Sequence, residues 1–183
     1  MSVAELLESA FALNKPHKFY GKYRGTVVTN VDPLQKARIQ ALVPDVSSTL
    51  PTSWAMPAVP VAGNQMGVFV LPPVGAGVWI EFEQGDPDFP IWSGGWWGSV
   101  GEVPTLALAG LPASPSIVLQ TLGGNTIMIS DVPGPSGGIL LQTKSGAMLS
   151  LSDTGITISD GQGATISLTG AAVTINQGAL VVQ

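Results

Sequence analysis

The chain has 183 residues, of which 10% are charged and 45% are hydrophobic; its formal net charge is −5 at pH 7, and it contains no cysteine. A typical globular protein carries about 25% charged residues, so this chain combines apolar surface with few charges. The composition excludes a disordered chain, a disulfide framework and a thiolate metal site. It favours burial of apolar surface between subunits.

The positive charges are clustered. Six of the seven Lys and Arg residues lie between Lys15 and Arg38, and the seventh is Lys144. Such a cluster fits a surface that meets nucleic acid or an acidic protein, and it also fits an ordinary solvated face of a sheet. The second interpretation is the more common one for charges within a sheet-rich region, and we favour it.

The first predicted element is a short amphipathic helix within an N-terminal arm, residues 1–18. Ser2 and Glu5 have the spacing of a capping box, and Asn14 and Pro16 end the helical pattern. One face of this helix carries Leu6, Leu7 and Phe11. The segment lacks the basic start of a secretory signal, so we expect no signal peptide.

Residues 19–98 predict a β-barrel. Strand-like runs cover residues 20–29, 36–43, 68–71, 78–83 and 89–92, with turn residues between them. Short strands separated by glycine-containing bends are typical of a small closed or partly closed barrel. Residues 55–80 carry no charge, but their prolines and glycines exclude a lipid-exposed helix, so we expect no transmembrane segment.

The sequence pattern changes after residue 98. Residues 99–115 predict a linker broken by glycine and proline, and residues 116–183 contain eight short alternating runs separated by Gly, Asn or Asp. The runs cover residues 116–121, 126–131, 138–143, 147–153, 155–160, 164–169, 172–176 and 179–183. Repeats of this length predict a β-helix or β-prism.

The alternation within these repeats predicts how they assemble. In residues 156–159 and 165–168, apolar side chains occupy one face of the strand and hydroxyl side chains the other. One thin sheet cannot cover its own apolar face. Three chains that wrap around a common axis would bury all three apolar faces and leave Ser and Thr outward. Eight such rungs would form a rod of roughly 40 Å.

Few residues suggest catalysis. Glu81 and Glu83 share a face of a strand and are followed by Asp86 and Asp88, a spacing that permits a glycosidase pair. No substrate cleft is evident in the sequence, and such carboxylates are common on solvated faces. With one histidine, His17, and no nucleophile motif, a conventional nucleophile–base pair is not expected. We therefore predict no catalytic residue and no enzymatic activity.

Metal and ligand sites have equally weak support. Asp131, Asp153 and Asp160 end strands of the repeat region, where turn formation explains them better than calcium binding. His17 could meet its copies on a threefold axis, but its place beside Pro16 favours a connecting residue. We predict no metal site and no cofactor. The tryptophans of the barrel region favour core or subunit packing over stacking with bases or sugars. These are Trp54, Trp79, Trp92, Trp96 and Trp97.

Several blocks of the barrel region, in order, resemble the phage baseplate assembly protein V family and the related VgrG-type needles of contractile injection systems. The blocks are 19–25 (FYGKYRG), 31–33 (VDP), 43–45 (VPD), 54–57 (WAMP), 72–79 (PPVGAGVW) and 82–87 (FEQGDP). The resemblance covers residues 19–98. It implies an all-β chain with an OB-type barrel (the oligonucleotide/oligosaccharide-binding fold) followed by an intertwined trimeric β-helix.

The resemblance also implies a structural role. The homotrimer would be the central spike of a contractile tail or injection-system baseplate, closing the tube end and piercing the target envelope on contraction. It would reside in a virion tail or contractile particle, in transient contact with the target envelope and with no nucleic acid as a specific ligand. Some relatives carry a lysozyme domain or a histidine-rich tip that binds iron, and neither is present in this sequence.

The two ends of the spike would have different partners. We expect Leu6, Leu7 and Phe11 to dock on tail tube or baseplate hub proteins. The apolar end formed by Leu180, Val181, Val182 and Gln183 suggests a separate, PAAR-like tip protein as its cap. Two other functions remain as alternatives. One is a barrel that binds oligonucleotide or glycan, and the other is a β-helix enzyme that degrades polysaccharide.

Overall fold

The computed structural model describes residues 17–109, 114 and 116–182. The chain divides into two compact units, Met1–Gly98 and Ser99–Gln183. Both consist of strands, and helical structure among the described residues is limited to short 3-10 segments. The predicted all-β fold is therefore confirmed. The helix predicted around Leu6, Leu7 and Phe11 lies outside the described residues.

The first unit contains seven strands among its described residues. They are β1 Tyr23–Thr29, β2 Gln40–Leu42, β3 Met56–Pro57, β4 Ala62–Gly63, β5 Met66–Gly67, β6 Gly77–Phe82 and β7 Pro90–Trp96. Five of them form one sheet in the order β2-β1-β6-β7-β3, and β4 pairs with β5 in a separate ribbon. The sheet is antiparallel except for β3, which runs parallel to β7. This curved half-barrel agrees with the expected OB-type fold.

One face of this sheet packs into a core of its own. β1 buries Gly25 and Val27, and β6 buries Val78, Ile80 and Phe82, because alternate residues of a strand point to the same side. A β-carbon at position 25 would lie only 3.0 Å from the Ile80 side chain, so a larger residue there would have to displace Ile80. The buried cluster comprises Val27, Ile39, Ala41, Val43, Ala55, Val78, Ile80, Phe82 and Trp92.

A salt bridge stabilises the connection between β1 and β2. The Asp32 carboxylate accepts hydrogen bonds from the backbone N–H groups of Leu34 at 2.9 Å and Lys36 at 2.7 Å. Arg38 donates a further hydrogen bond to it from Nη2 at 2.6 Å. Both partners are largely shielded from water. The turn predicted in this segment is thus built around a carboxylate that satisfies several donors at once.

One predicted strand of the barrel region is wrong. Residues 68–71 form no strand, although their apolar sequence resembles one. The ribbon of β4 and β5 precedes them instead, and its pairing extends only as far as the hydrogen bond from the Val68 N–H to the Val61 carbonyl, 3.1 Å long. Pro72 and Pro73 follow, and neither can donate to a ladder.

The second unit is a single antiparallel meander. Its strands are β8 Ile117–Gln120, β9 Thr126–Ser130, β10 Gly138–Gln142, β11 Met148–Ser152, β12 Gly155–Ser159, β13 Thr165–Thr169, β14 Ala172–Ile175 and β15 Leu180–Val182. Each strand pairs with its neighbours in sequence, from β8 at one end to β15 at the other. Every one of the eight runs predicted from the sequence contains one of these strands.

Candidate assembly interface

Two columns of aliphatic side chains run along one face of the C-terminal sheet. The pairing register places Ile117, Ile129, Ile139, Leu151, Ile156, Leu168 and Val173 opposite one another in sequence, and the backbone of Val182 continues this column. The second column contains Leu119, Ile127, Leu141, Leu149, Ile158, Ile166, Ile175 and Leu180. We call this surface the apolar face.

The apolar face lacks a cover in the single chain. Ile158, near its centre, is 46% exposed, and most other members of the two columns are exposed to a similar degree. Among the described residues of this unit, the one fully buried hydrophobic side chain is Met128, which lies on the opposite face. The sheet therefore presents its most apolar surface to solvent, as expected for a sheet whose core is completed by other chains.

The energetic gain from covering this face is large. A Leu or Ile side chain gains about 1.5–3 kcal/mol on complete burial. The members of the two columns are already partly buried, so covering each one is worth on the order of 1 kcal/mol. Summed over both columns, this is a gross gain that opposes the translational, rotational and side-chain freedom lost on association. Covering the apolar face is therefore the main favourable contribution that this sheet offers to association.

The opposite face changes along the sheet. The central column of this face begins with Val118, Met128 and Leu140 and continues with Ser150 and Thr157. Ser167 and Thr174 extend it. The hydroxyl face predicted from the sequence is thus found in the central column from β11 to β14, and it is preceded by an apolar section.

The apolar section of the opposite face is covered by the segment before β8. A short 3-10 helix, Thr105–Leu108, lies against this end of the sheet. Leu106 and Ala109 line a cavity of about 330 Å³ together with Met128 and Leu140. The segment that the sequence predicts as a linker therefore contributes a cover in its described part, and the apolar face on the other side stays open.

The residues predicted to bind a tip protein lie in the last strand of the sheet. β15 pairs only with β14, so its outer edge is free among the described residues. Leu180 is 54% exposed, and the backbones of Val181 and Val182 pair with Thr174 and Val173. Gln183 lies outside the described residues, as do the residues predicted for hub docking, Leu6, Leu7 and Phe11.

The carboxylates considered for catalysis form ion pairs and turns. Glu81 accepts hydrogen bonds from Lys22 and Ser93, and these bonds lower the pKa of the Glu81 carboxyl. Asp86 accepts from the backbone N–H of Asp88 at 3.1 Å and from Lys18 at 3.2 Å, which lowers the pKa of Asp86. A glycosidase needs one carboxyl with a raised pKa to donate a proton. Glu81 and Asp86 are both shifted in the opposite direction.

The candidate metal ligands are explained by local contacts. His17 packs edge-on against Phe19, with 4.6 Å between the ring centroids. Asp160 accepts hydrogen bonds from the backbone N–H groups of Gln162 and Ala164, which lower its pKa. Asp153 accepts from the N–H of Gly134 at 3.4 Å. Within the part of the chain that the structure describes, no three His, Asp or Glu side chains cluster as metal ligands would.

The tryptophans have different roles in the barrel. Trp92 belongs to the core, and its Nε1–H donates to the carbonyl of Ala37 at 3.0 Å. Trp79 and Trp96 lie on the outer face of the sheet. The Arg24 guanidinium lies 5.7 Å from the Trp79 ring centroid and 5.1 Å from that of Trp96. Sequence reasoning missed Arg24, because only the pairing of β1 with β6 brings it next to Trp79.

Nucleic-acid binding by the barrel lacks electrostatic support. Residues 17–98 contain five Lys and Arg residues against six Asp and Glu residues. Three of these cations, Lys18, Lys22 and Arg38, are neutralised by Asp86, Glu81 and Asp32. Nucleic-acid affinity depends on an excess of positive charge.

In the described ranges, no helix is long and apolar enough to span a bilayer.

Comparison with known families assigns each unit. Residues 23–97 match the family described as the type VI secretion system/phage-baseplate injector OB domain. Residues 116–181 match the phage baseplate V C-terminal trimerisation domain. No curated protein matches the chain. The second match coincides with the strands that carry the apolar face, and its description supports a homotrimer.

Proposed function

We propose that the homotrimer is the central spike of a contractile tail or injection system, because residues 23–97 match the baseplate and type VI secretion injector OB domain and residues 116–181 match the baseplate V trimerisation domain. In this proposal the spike closes the end of the tail tube and pierces the target envelope when the sheath contracts. In this proposal the protein resides in a virion tail or an injection particle. In an injection system it corresponds to the VgrG-like needle.

The observation that carries the proposal is the continuity of the apolar face through all eight strands. Three such faces packed together produce one uninterrupted apolar core along a narrow rod. Neighbouring strands lie about 4.8 Å apart, and their hydrogen bonds point along the row of strands. A load applied at one end is thus carried by backbone hydrogen bonds and by packed side chains. Both resist bending, which a piercing part requires.

The role needs no catalytic site. The families that match the two units are structural baseplate domains. Of the four carboxylates considered for hydrolysis, Glu81 forms an ion pair with Lys22 and Asp86 forms one with Lys18. We therefore propose that the protein acts by rigidity and by binding other parts of the particle.

The two ends of the spike bind different partners in this proposal. The N-terminal residues Leu6, Leu7 and Phe11 contact the tube or hub. The end formed by residues 180–183 is capped by a separate PAAR-like tip protein. The free edge of β15 supports this assignment, because three open strand edges at one end of a trimer need a cover.

The decisive experiment compares two neighbouring substitutions on opposite faces of β12 in the intact particle. A producing strain that lacks the gene is complemented with the wild-type chain, with Ile158→Asp or with Thr157→Asp. We expect wild type and Thr157→Asp to restore complete baseplates in electron micrographs and delivery into target cells. Ile158→Asp should restore neither, since it places three carboxylates inside the rod. Normal delivery by particles that carry Ile158→Asp would refute the spike proposal.

The tip assignment has its own test. Purified trimer is mixed with the tip protein of the same particle, and binding is measured for wild type and for Leu180→Asp. Because Leu180 also belongs to the apolar face, light scattering first establishes that Leu180→Asp is still a trimer. We expect this trimer to lose binding, while Thr174→Asp, on the hydroxyl face of the preceding strand, retains it. A structure of the isolated trimer with a closed, self-capped point would contradict the assignment.

A further inference from the structure

A second uncovered apolar surface lies in the barrel unit. Residues 61–70 contain the ribbon of β4 and β5, and all ten residues are exposed. None of them is charged. Phe69 is 71% exposed, and Val61, Met66, Val68 and Val70 are also exposed. We call residues 61–70 the apolar arm.

The apolar arm is poorly suited to solvent. A two-stranded ribbon by itself is at best marginally stable in water, because it buries little apolar surface. The arm has two short strands and a turn in which Gln65 adopts a positive φ of 58°. Its hydrophobic side chains add nothing to the barrel core, which is formed by other residues. A surface of this kind is typical of a contact with another chain.

A complementary surface lies on the outer face of the barrel sheet. Arg24, Trp79 and Trp96 form a layer in which the guanidinium lies over both rings. The ion pairs found among the described residues are Lys18–Asp86, Lys22–Glu81 and Arg38–Asp32, whereas Arg24 makes cation–π contacts with both rings. We call these three residues the tryptophan platform. Phe and Met side chains pack favourably on indole rings.

The trimer brings three barrels together. Each barrel is joined to a trimerisation sheet by the short segment between Trp96 and Ile117. Tethering of this kind gives the barrels a high effective concentration with respect to one another. Their exposed apolar surfaces therefore meet the other copies far more often than they meet an independent protein.

Threefold symmetry determines the type of contact that the barrels can make with one another. A ring of three identical subunits closes through head-to-tail contacts, in which one patch binds a different patch on the next copy. The barrel offers two different surfaces for such a contact, the uncharged apolar arm and the tryptophan platform. We infer that in the trimer the apolar arm of each barrel packs on the tryptophan platform of the next copy. This inference rests on the trimer of the proposed function and adds a second, separate set of contacts between the chains.

Cysteine cross-linking of the full chain tests the pairing directly. The wild-type chain has no cysteine, so each introduced thiol is unique. Phe69→Cys marks the arm, and Thr26→Cys marks the platform, because Thr26 is exposed and pairs with Gly77 beside Trp96. We expect the double variant, treated with a short bis-maleimide, to run as a covalent trimer on denaturing gels. Each single variant should remain monomeric.

The outcomes separate this inference from the spike proposal. The mass of the untreated protein is measured first, and a monomer at that stage refutes the trimer itself. A trimer whose double variant is not cross-linked overturns only the arm contact. Cross-linked dimers from Phe69→Cys alone also overturn it, since they mean that the arms meet one another and leave the platform uncovered.

A second measurement uses the fluorescence of the two tryptophans in the tryptophan platform. The double substitution Phe69→Ser, Val70→Ser removes the apolar end of the arm, and Leu50→Ser is the control at another exposed apolar position. We expect the arm variant to shift the tryptophan emission maximum to longer wavelength, because Trp79 and Trp96 become exposed to water. The control should leave the maximum unchanged. An unchanged spectrum in a trimeric arm variant contradicts the contact.

Discussion

The barrel and the C-terminal sheet differ in how the apolar faces of their strands are covered. The barrel covers its apolar face within one chain, whereas the C-terminal sheet leaves its apolar face open. Both contain strands in which apolar residues alternate with polar ones. In the barrel the sheet curves, and residues such as Ile39 and Ile80, both 0% exposed, meet inside one chain. In the C-terminal sheet the equivalent side chains form flat columns that stay half exposed. The comparison teaches that alternation predicts an apolar face but does not identify what covers it.

Topology explains the difference. The barrel order β2-β1-β6-β7-β3 brings together strands that are distant in sequence, so the sheet can curve around a core. The C-terminal strands pair only with sequence neighbours and form a single layer. Such a meander forms from local contacts, but a layer without a second layer has no interior. We therefore expect the barrel to fold within one chain and the sheet to gain its stability on association.

Removal of the sheet should have the largest effect. A chain truncated after Pro115 retains the barrel and loses the apolar face. We expect light scattering to give three chain masses for the full-length protein and one for the truncated protein. A full-length monomer would refute the burial argument, and a truncated trimer would assign trimerisation to the barrel.

A charge on the apolar face should have the next largest effect. Ile158→Asp places a carboxylate where three copies meet, and burial of an unpaired charge costs several kcal/mol. We expect the purified variant to be monomeric or aggregated by light scattering. Thr157→Asp, one residue away on the hydroxyl face, should remain trimeric, because exposed substitutions usually change stability by about 0.5 kcal/mol or less.

A cavity in the barrel core should affect only the first unit. Ile80→Ala removes a fully buried side chain, which costs about 2–5 kcal/mol. All five tryptophans lie in residues 54–97, so tryptophan fluorescence reports on the barrel unit and not on unfolding of the C-terminal sheet. We expect a lower fluorescence midpoint and an unchanged trimer mass. Dissociation of the trimer in this variant would mean that the two units do not behave independently.

The smallest effect should come from the salt bridge in the β1–β2 connection. The Arg38 guanidinium holds the pKa of Asp32 well below its usual range, so folding favours the ionised form. The stabilisation is therefore present above the unfolded pKa of about 3.9 and is lost as the pH falls below it. Asp32→Asn should lower the fluorescence midpoint by several degrees at pH 7 and by less at pH 3. The exposed Asp45→Asn serves as the control, and an equal effect at both pH values would contradict the role of the charge.

The success of sequence reasoning differed between the two units for a physical reason. The eight C-terminal runs each contain a strand, because local alternation and turn residues such as Gly155 specify a meander without distant partners. In the barrel, residues 68–71 were predicted as a strand and form none, since pairing there depends on which distant segment is available. Arg24 was overlooked for the same reason, as was the position of Trp79 and Trp96 on the outer face.

The sequence by itself determined the all-β class, the repeat character of residues 116–183 and the existence of an apolar face, because these follow from the alternation of residue types. The tertiary structure alone decided that this face is uncovered in one chain, that Arg24 lies over two tryptophans, and that residues 61–70 form an exposed arm. These features depend on strand order and register, which bring together residues that are far apart in the chain. Local sequence does not encode those distances.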